Sequence, residues 1–168
     1  MKQYVCYAFA LLVLSTTAVA QPLTPSRIER DVRTHGAHAT VQSLNRTGRL
    51  DAVLSKIASG SVAWVRLSPD LAKGTDAGDS TGLSIALAQA LPKNPKAVLA
   101  VLDDGPVTGA AVVCSVPLIE PSPDEVKDYL NRAIDAVRHT PDSGSLPQRA
   151  PCLQALKRIA EHTSAHPS

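Results

Sequence analysis

The chain has 168 residues, 44% hydrophobic but only 3% aromatic, and carries a formal net charge of +2. That length fits one domain. A near-neutral chain with no basic block does not track a phosphate backbone, and one so poor in aromatic rings lacks the stacking platforms of single-stranded nucleic-acid and sugar binders, so nucleic acid is not an expected partner.

The first twenty residues, MKQYVCYAFALLVLSTTAVA, hold Lys2 as a basic n-region, an apolar run from Tyr4 to Leu14, and Ala18-Val19-Ala20 before Gln21. They read as a secretory signal peptide cleaved between Ala20 and Gln21. A membrane span needs roughly 20 unbroken apolar residues, whereas Ser15, Thr16 and Thr17 interrupt this run, and Cys6 stands too early to be a lipidated cysteine. No stable membrane anchor is therefore expected, and the predicted location is periplasmic or secreted. Residues 21–168 form a single helical domain, with 145–168 as its C-terminal helix and frayed tail.

Cleavage removes Tyr4, Tyr7 and Phe9, leaving Trp64 and Tyr129 as the aromatics. It also removes Cys6 and leaves Cys114 and Cys152 as an even pair in a compartment that permits oxidation, which predicts a disulfide. Such a bridge closes a loop of 37 intervening residues. On chain-entropy grounds a loop of that size contributes about 3 to 4 kcal/mol. Without histidines at ligand spacing the two cysteines make a poor zinc site.

In chain order, Thr24 caps and Pro25 starts a short helix to about Thr34, with Ile28 and Val32 as a thin apolar face and Glu29–Arg33 as an i, i+4 ion pair. Gly36 ends it, and a second helix carries Val41 and Leu44 up to Thr47-Gly48. From Arg49 to Ser59 the residues Leu50, Val53, Leu54 and Ile57 fall at i, i+3, i+4 and i+7, with Gly60 as the C-terminal cap. Ser61–Leu102 is the apolar centre of the chain. Trp64, Leu67 and Leu71 share a face that Pro69 breaks into two short helices at Ser68.

Leu83, Leu87, Ala90 and Leu91 recur along a helix capped by Asp79 or Ser80 and stopped by Pro92; Ile85, Ala86 and Ala88 widen the apolar face enough to predict burial on more than one side. Asn94 caps the next helix, with Pro95 at its first position and Val98, Leu99, Val101 and Leu102 as its face. The short connection predicts an antiparallel pair.

Asp103-Asp104-Gly105-Pro106 is a turn. Val107–Pro121 reads as a strand or a buried helix, and a short helix or irregular segment is favoured because a lone strand would have no partner. Ser122-Pro123-Asp124-Glu125 spells a capping box, and Val126, Tyr129, Leu130, Ala133, Ile134 and Val137 form the clearest amphipathic helix. His139–Pro147 is a polar loop, after which a helix from about Ala150 carries Cys152, Leu156 and Ile159 before the tail TSAHPS frays. Seven or eight short helices with no strand hairpin predict an all-α domain, an irregular array resembling a HEAT-like stack and holding one disulfide.

The block ALAQALPKNPKAVLAVL followed by CSVPLIEP resembles small exported helical proteins of Gram-negative bacteria that have no assigned activity. The resemblance spans roughly Ser61 to Cys152 and carries no catalytic motif, so it implies export and a helical fold and transfers no residue role.

Gly78-Asp79-Ser80-Thr81-Gly82 matches the letters of the G-x-S-x-G nucleophile elbow. An elbow needs a strand before the serine and a sheet to hold its acid and histidine. Here a polar loop precedes the motif, which therefore reads as a helix cap. Asp76 and Asp79 supply two carboxylates where a calcium loop alternates several oxygens over about 12 residues. His162 and His166 have the i, i+4 spacing of a metal pair without the intervening glutamate, and His35 and His38 straddle the stop at Gly36; surface histidines explain both pairs, with His139 the fifth in the chain.

Glu120, Asp124, Glu125 and Asp128 gather at a helix start, where the macrodipole favours negative charge. No catalytic residue, metal ligand or cofactor is assigned. The expected function is non-catalytic binding to another exported or envelope protein, as an inhibitor, immunity-type protein or adaptor. A carrier of an apolar small ligand and a serine hydrolase using Ser80 are the alternatives.

Overall fold

The structure, a computed structural model, describes residues 22–115, 119–141 and 144–165. The predicted signal peptide, the Ala20–Gln21 junction and His166 lie outside them. Among the described residues ten helical segments follow one another: α1 (Pro25–His35), α2 (Ala37–Arg46), α3 (Leu50–Ala58), α4 (Val62–Val65), α5 (Ser68–Ala72), α6 (Ala77–Ala90), α7 (Pro95–Leu99), α8 (Ala110–Val113), α9 (Pro123–His139) and α10 (Arg149–Ala165). Among the described residues no strand forms, only an isolated bridge between Asp103 and Gly109, and the domain is all-α. The segments outnumber the seven or eight expected, and four of them, α4, α5, α7 and α8, are single turns of four or five residues.

The local signals mostly place the ends. Thr24 accepts the Arg27 amide at 3.4 Å, Asn94 accepts that of Ala97 at 3.2 Å, and Ser122 with Glu125 closes a reciprocal capping box. Gly36, at φ +85°, ends α1 and directly starts α2, so the two helices form a hairpin with almost no loop. On α1 the ion pair is Arg27–Asp31 at 3.7 Å instead of Glu29–Arg33. At the other end α10 continues to Ala165, so Thr163, predicted to fray, is helical, and its hydroxyl donates to the Ile159 carbonyl.

Helix α6 is the axis. Leu83, Ser84, Ala86, Leu87, Ala88 and Ala90 are all buried, more than one helical face can hold, because α3, α5, α7 and α8 surround it. Its main partner is α3, not α7. Gly82 lets α3 approach closely, since a Cβ there would stand 3.0 Å from Leu54 Cδ1. Helix α7, the expected neighbour, also packs on α6, but it stops at Leu99, so Val101 and Leu102 lie beyond its end.

Helix ends leave carbonyls without intrahelical donors, and here side chains from segments distant in sequence supply several of them. Lys93 Nζ donates to the Ala58 carbonyl at 2.6 Å and Asn94 Nδ2 to Gly60 at 2.9 Å, finishing α3. Arg149 donates to the carbonyls of Val137 and Arg138, finishing α9. At the end of α6, residue 92 is a proline and has no N–H for the Ala88 carbonyl. The Tyr129 hydroxyl, reaching from α9, donates to that oxygen at 3.1 Å.

The predicted disulfide is present. Cys114, just past α8, and Cys152, in the first turn of α10, are buried with Cα atoms 5.3 Å apart. It fastens α10, which packs on α8 and α9, to the segment after α6.

Candidate functional site

The G-x-S-x-G letters fall on the start of α6, and their geometry corrects the predicted cap. Asp76 is the N-cap: its Oδ1 accepts the Asp79 amide at 3.1 Å, and Ala77 opens the helix. Asp79 and Ser80 therefore lie inside the first turn, where the Ser80 amide donates to the Asp76 carbonyl at 2.9 Å as in any helix. The sequence misplaced the cap because Asp76, Asp79 and Ser80 each offer a capping oxygen within five residues, and only the path of the preceding loop selects one.

That path is fixed by Gly74. A Cβ at Gly74 would fall inside the Ala37 carbonyl group at the start of α2, so the α5–α6 turn lies directly on the α1–α2 corner. Asn45 of α2 then donates to Asp79 Oδ2 at 2.6 Å. Thr75 Oγ1 donates to the Ala72 carbonyl at 3.0 Å and stands 2.7 Å from Ser80 Oγ. A hydroxyl has one proton. With that of Thr75 committed to Ala72, the Ser80 hydroxyl is the donor of the pair. Ser80 thus sits on a regular helix, preceded by a helix and a turn, with its proton directed at another hydroxyl.

The remaining candidate chemistry is dispersed. Asp76 and Asp79, the two carboxylates of the calcium reading, each accept a protein N–H, and no group of three or more His, Cys, Asp or Glu residues suited to a metal occurs among the described residues. His35 and His38 are exposed on either side of Gly36, the latter 3.1 Å from Gln42 Nε2. His139 pairs with Asp135 at 3.1 Å on the exposed face of α9, and His162 is exposed on α10. In the acidic cluster, Glu125 Oε2 accepts both the backbone N–H and the hydroxyl of Ser122 at 2.8 Å. These bonds, the backbone one first, hold the Glu125 carboxyl below the ordinary carboxylate range. Glu120, Asp124 and Asp128 are exposed.

A feature the sequence reading did not single out is a cleft of about 470 Å³ between α1 and α2. Ile28 and Leu44, both buried, belong to its lining with the half-buried Leu23. Its charged lining is Arg27, Arg46 and Arg49 against Asp31, with His35 toward the corner. The signal in the sequence was the surplus of arginine between residues 27 and 49, but the spacing of 19 from Arg27 to Arg46 has no meaning until Gly36 folds α1 back on α2.

No described helix is long and apolar enough to cross a membrane. No family model, curated protein or solved structure matches the chain.

Proposed function

We propose that the protein is exported and acts by binding another exported or envelope protein, without turning over a substrate. The observation that carries the reading is the state of Ser80: the one residue with catalytic lettering is built into the first turn of α6 with its hydroxyl on Thr75. The Cys114–Cys152 bridge supports export, since such bridges persist in oxidising compartments. The Lys2, Tyr4–Leu14 and Ala18-Val19-Ala20 pattern and the resemblance of Ser61–Cys152 to exported helical proteins support the same location.

The test is isolation of the C-terminally tagged protein from the cell envelope, followed by native mass spectrometry, N-terminal sequencing and an esterase and peptidase panel. The expected result is a chain beginning at Gln21, in a stoichiometric complex with a second protein and silent in the panel. Met1 retained in the membrane fraction overturns export. Turnover that disappears in a folded Ser80→Ala variant overturns the binding reading, because loss of the Thr75 contact alone costs only about 1 kcal/mol of stability. A bound lipid in place of a protein identifies a carrier.

A further inference from the structure

Val62 and Ile119 are the large apolar side chains left exposed among the described residues, Val62 at 43%. Val62 stands in one wall of a groove of about 310 Å³ between α4 and α7, together with Arg66; Lys96, Ala97 and Ala100 form the other wall. The walls are fastened at one end. Asn94 Nδ2 donates to the Gly60 carbonyl at 2.9 Å, just before α4, while Asn94 Oδ1 accepts the Ala97 amide at 3.2 Å and caps α7.

Arg66 and Lys96 have no such duty. Both are exposed, and among the described residues neither side chain enters an ion pair or a hydrogen bond. No carboxylate lines the groove, and the sequence has no Asp or Glu in residues 52–69 or 80–102, the stretches that supply both walls. In a chain with a formal net charge of only +2, this is a local excess of positive charge beside exposed apolar atoms.

Charge complementarity therefore selects an occupant that bears carboxylates. Each wall sets one cation and one apolar residue four positions apart, Arg66 with Val62 and Lys96 with Ala100, which places them on one face a helical turn apart. A bare inorganic anion would leave Val62 and Ala100 uncovered. A lipid surface is met by apolar side chains that protrude into it, whereas these line a concavity. A protruding protein segment with both acidic and aliphatic side chains matches the charge and the shape.

Building on the protein-binding reading, we infer that the α4–α7 groove docks an acidic segment of the partner protein, its carboxylates on Arg66 and Lys96 and an aliphatic side chain against Val62 and Ala100.

The probe is a labelled synthetic peptide of alternating glutamate and leucine, titrated with the purified protein by fluorescence anisotropy at low and at high salt. A peptide with glutamine for glutamate serves as the comparison, and vesicles of phosphatidylglycerol as a separate arm. Expected are saturable binding that weakens with salt, and a loss of about tenfold or more for the glutamine peptide and for the paired change Arg66→Glu with Lys96→Glu. Val62→Ser should also bind more weakly, by about threefold or more. Arg33→Glu with Lys157→Glu, the same charge change at exposed positions of α1 and α10, should keep most of the affinity. All three variants should keep the parent's melting temperature to within a few degrees, since none alters a buried side chain. The inference is overturned by absence of saturable binding, by equal affinity for the glutamine peptide, by an unaltered Arg66→Glu/Lys96→Glu variant, or by an equal loss in the control pair. Binding to the vesicles with none to the peptide overturns it in favour of a lipid surface. A stoichiometric partner complex that survives Arg66→Glu/Lys96→Glu also overturns the groove assignment, while leaving the protein-binding reading intact.

Discussion

Replacing Tyr129 by phenylalanine isolates one contact between α9 and the end of α6. The ring is 4% exposed, and its hydroxyl donates to the Ala88 carbonyl at 3.1 Å. Because Pro92 cannot supply the usual helical donor, that oxygen otherwise keeps only the Leu91 amide at 3.2 Å. Phenylalanine preserves the packing, so no cavity term arises and the cost is that of a buried hydrogen bond with a partly satisfied acceptor, about 1 to 1.5 kcal/mol. For a domain of this size that lowers the melting temperature by about 3 to 5 °C.

The hydroxyl also sets an alkaline limit. Burial pushes the Tyr129 phenol above its ordinary value, with the Arg132 charge opposing only in part. The fold therefore holds the neutral phenol, and the associated stability is complete below the unfolded value near 10 and declines as pH rises from there toward the raised folded value. Tyr129 is the only tyrosine outside the first twenty residues, so ultraviolet absorbance of the protein expressed without those residues titrates it directly. The expected result is a folded-state transition displaced well above that of free tyrosine, and a smaller loss of stability in alkali for Tyr129→Phe than for the parent. An ordinary titration, or a variant that melts with the parent at neutral pH, would refute the reasoning.

Gly74→Ala should destabilise by about 1 to 3 kcal/mol, because its Cβ meets the rigid Ala37 backbone. Gly78→Ala, whose nearest neighbour is Asp76 Oδ1 at 3.7 Å, should be neutral or stabilising by up to about 1 kcal/mol; equal melts would contradict the close approach. The paired change Cys114→Ser with Cys152→Ser should lose about 3 to 4 kcal/mol in urea denaturation, and alkylation of the unreduced, unfolded parent should modify neither cysteine. Glu125 has a depressed folded pKa, so its stabilisation is present above the unfolded carboxylate value of about 4.3 and is lost as pH falls through the lower folded value. Acid melts of Glu125→Gln should accordingly be less pH-dependent than those of the parent, and superimposable profiles would count against the capping box.

The sequence by itself determined the elements whose causes are local. The Ser122–Glu125 box, Pro95 behind Asn94, Gly36 and Gly60 at helix ends, and the long apolar periodicity of α9 each act within one or two turns, and all appear as read. The disulfide was legible because only two of the three cysteines lie outside the predicted signal segment, which leaves one pairing. Tertiary structure decided what depends on the approach of segments distant in sequence. Asp76, Asp79 and Ser80 each carry a capping oxygen, and the path of the turn, with Gly74 against Ala37, selected Asp76. The apolar character of α6 announced burial without naming a partner, which the tertiary structure shows to be α3, with Gly82 facing Leu54. Pro92 and Tyr129 each had a local reading, as a stop and as a face residue, but their joint role exists only where α9 crosses the end of α6. The arginine cleft has the same origin: hydrophobic and capping signals are short-ranged along the chain, whereas a surface is assembled from residues that only the folded hairpin makes neighbours.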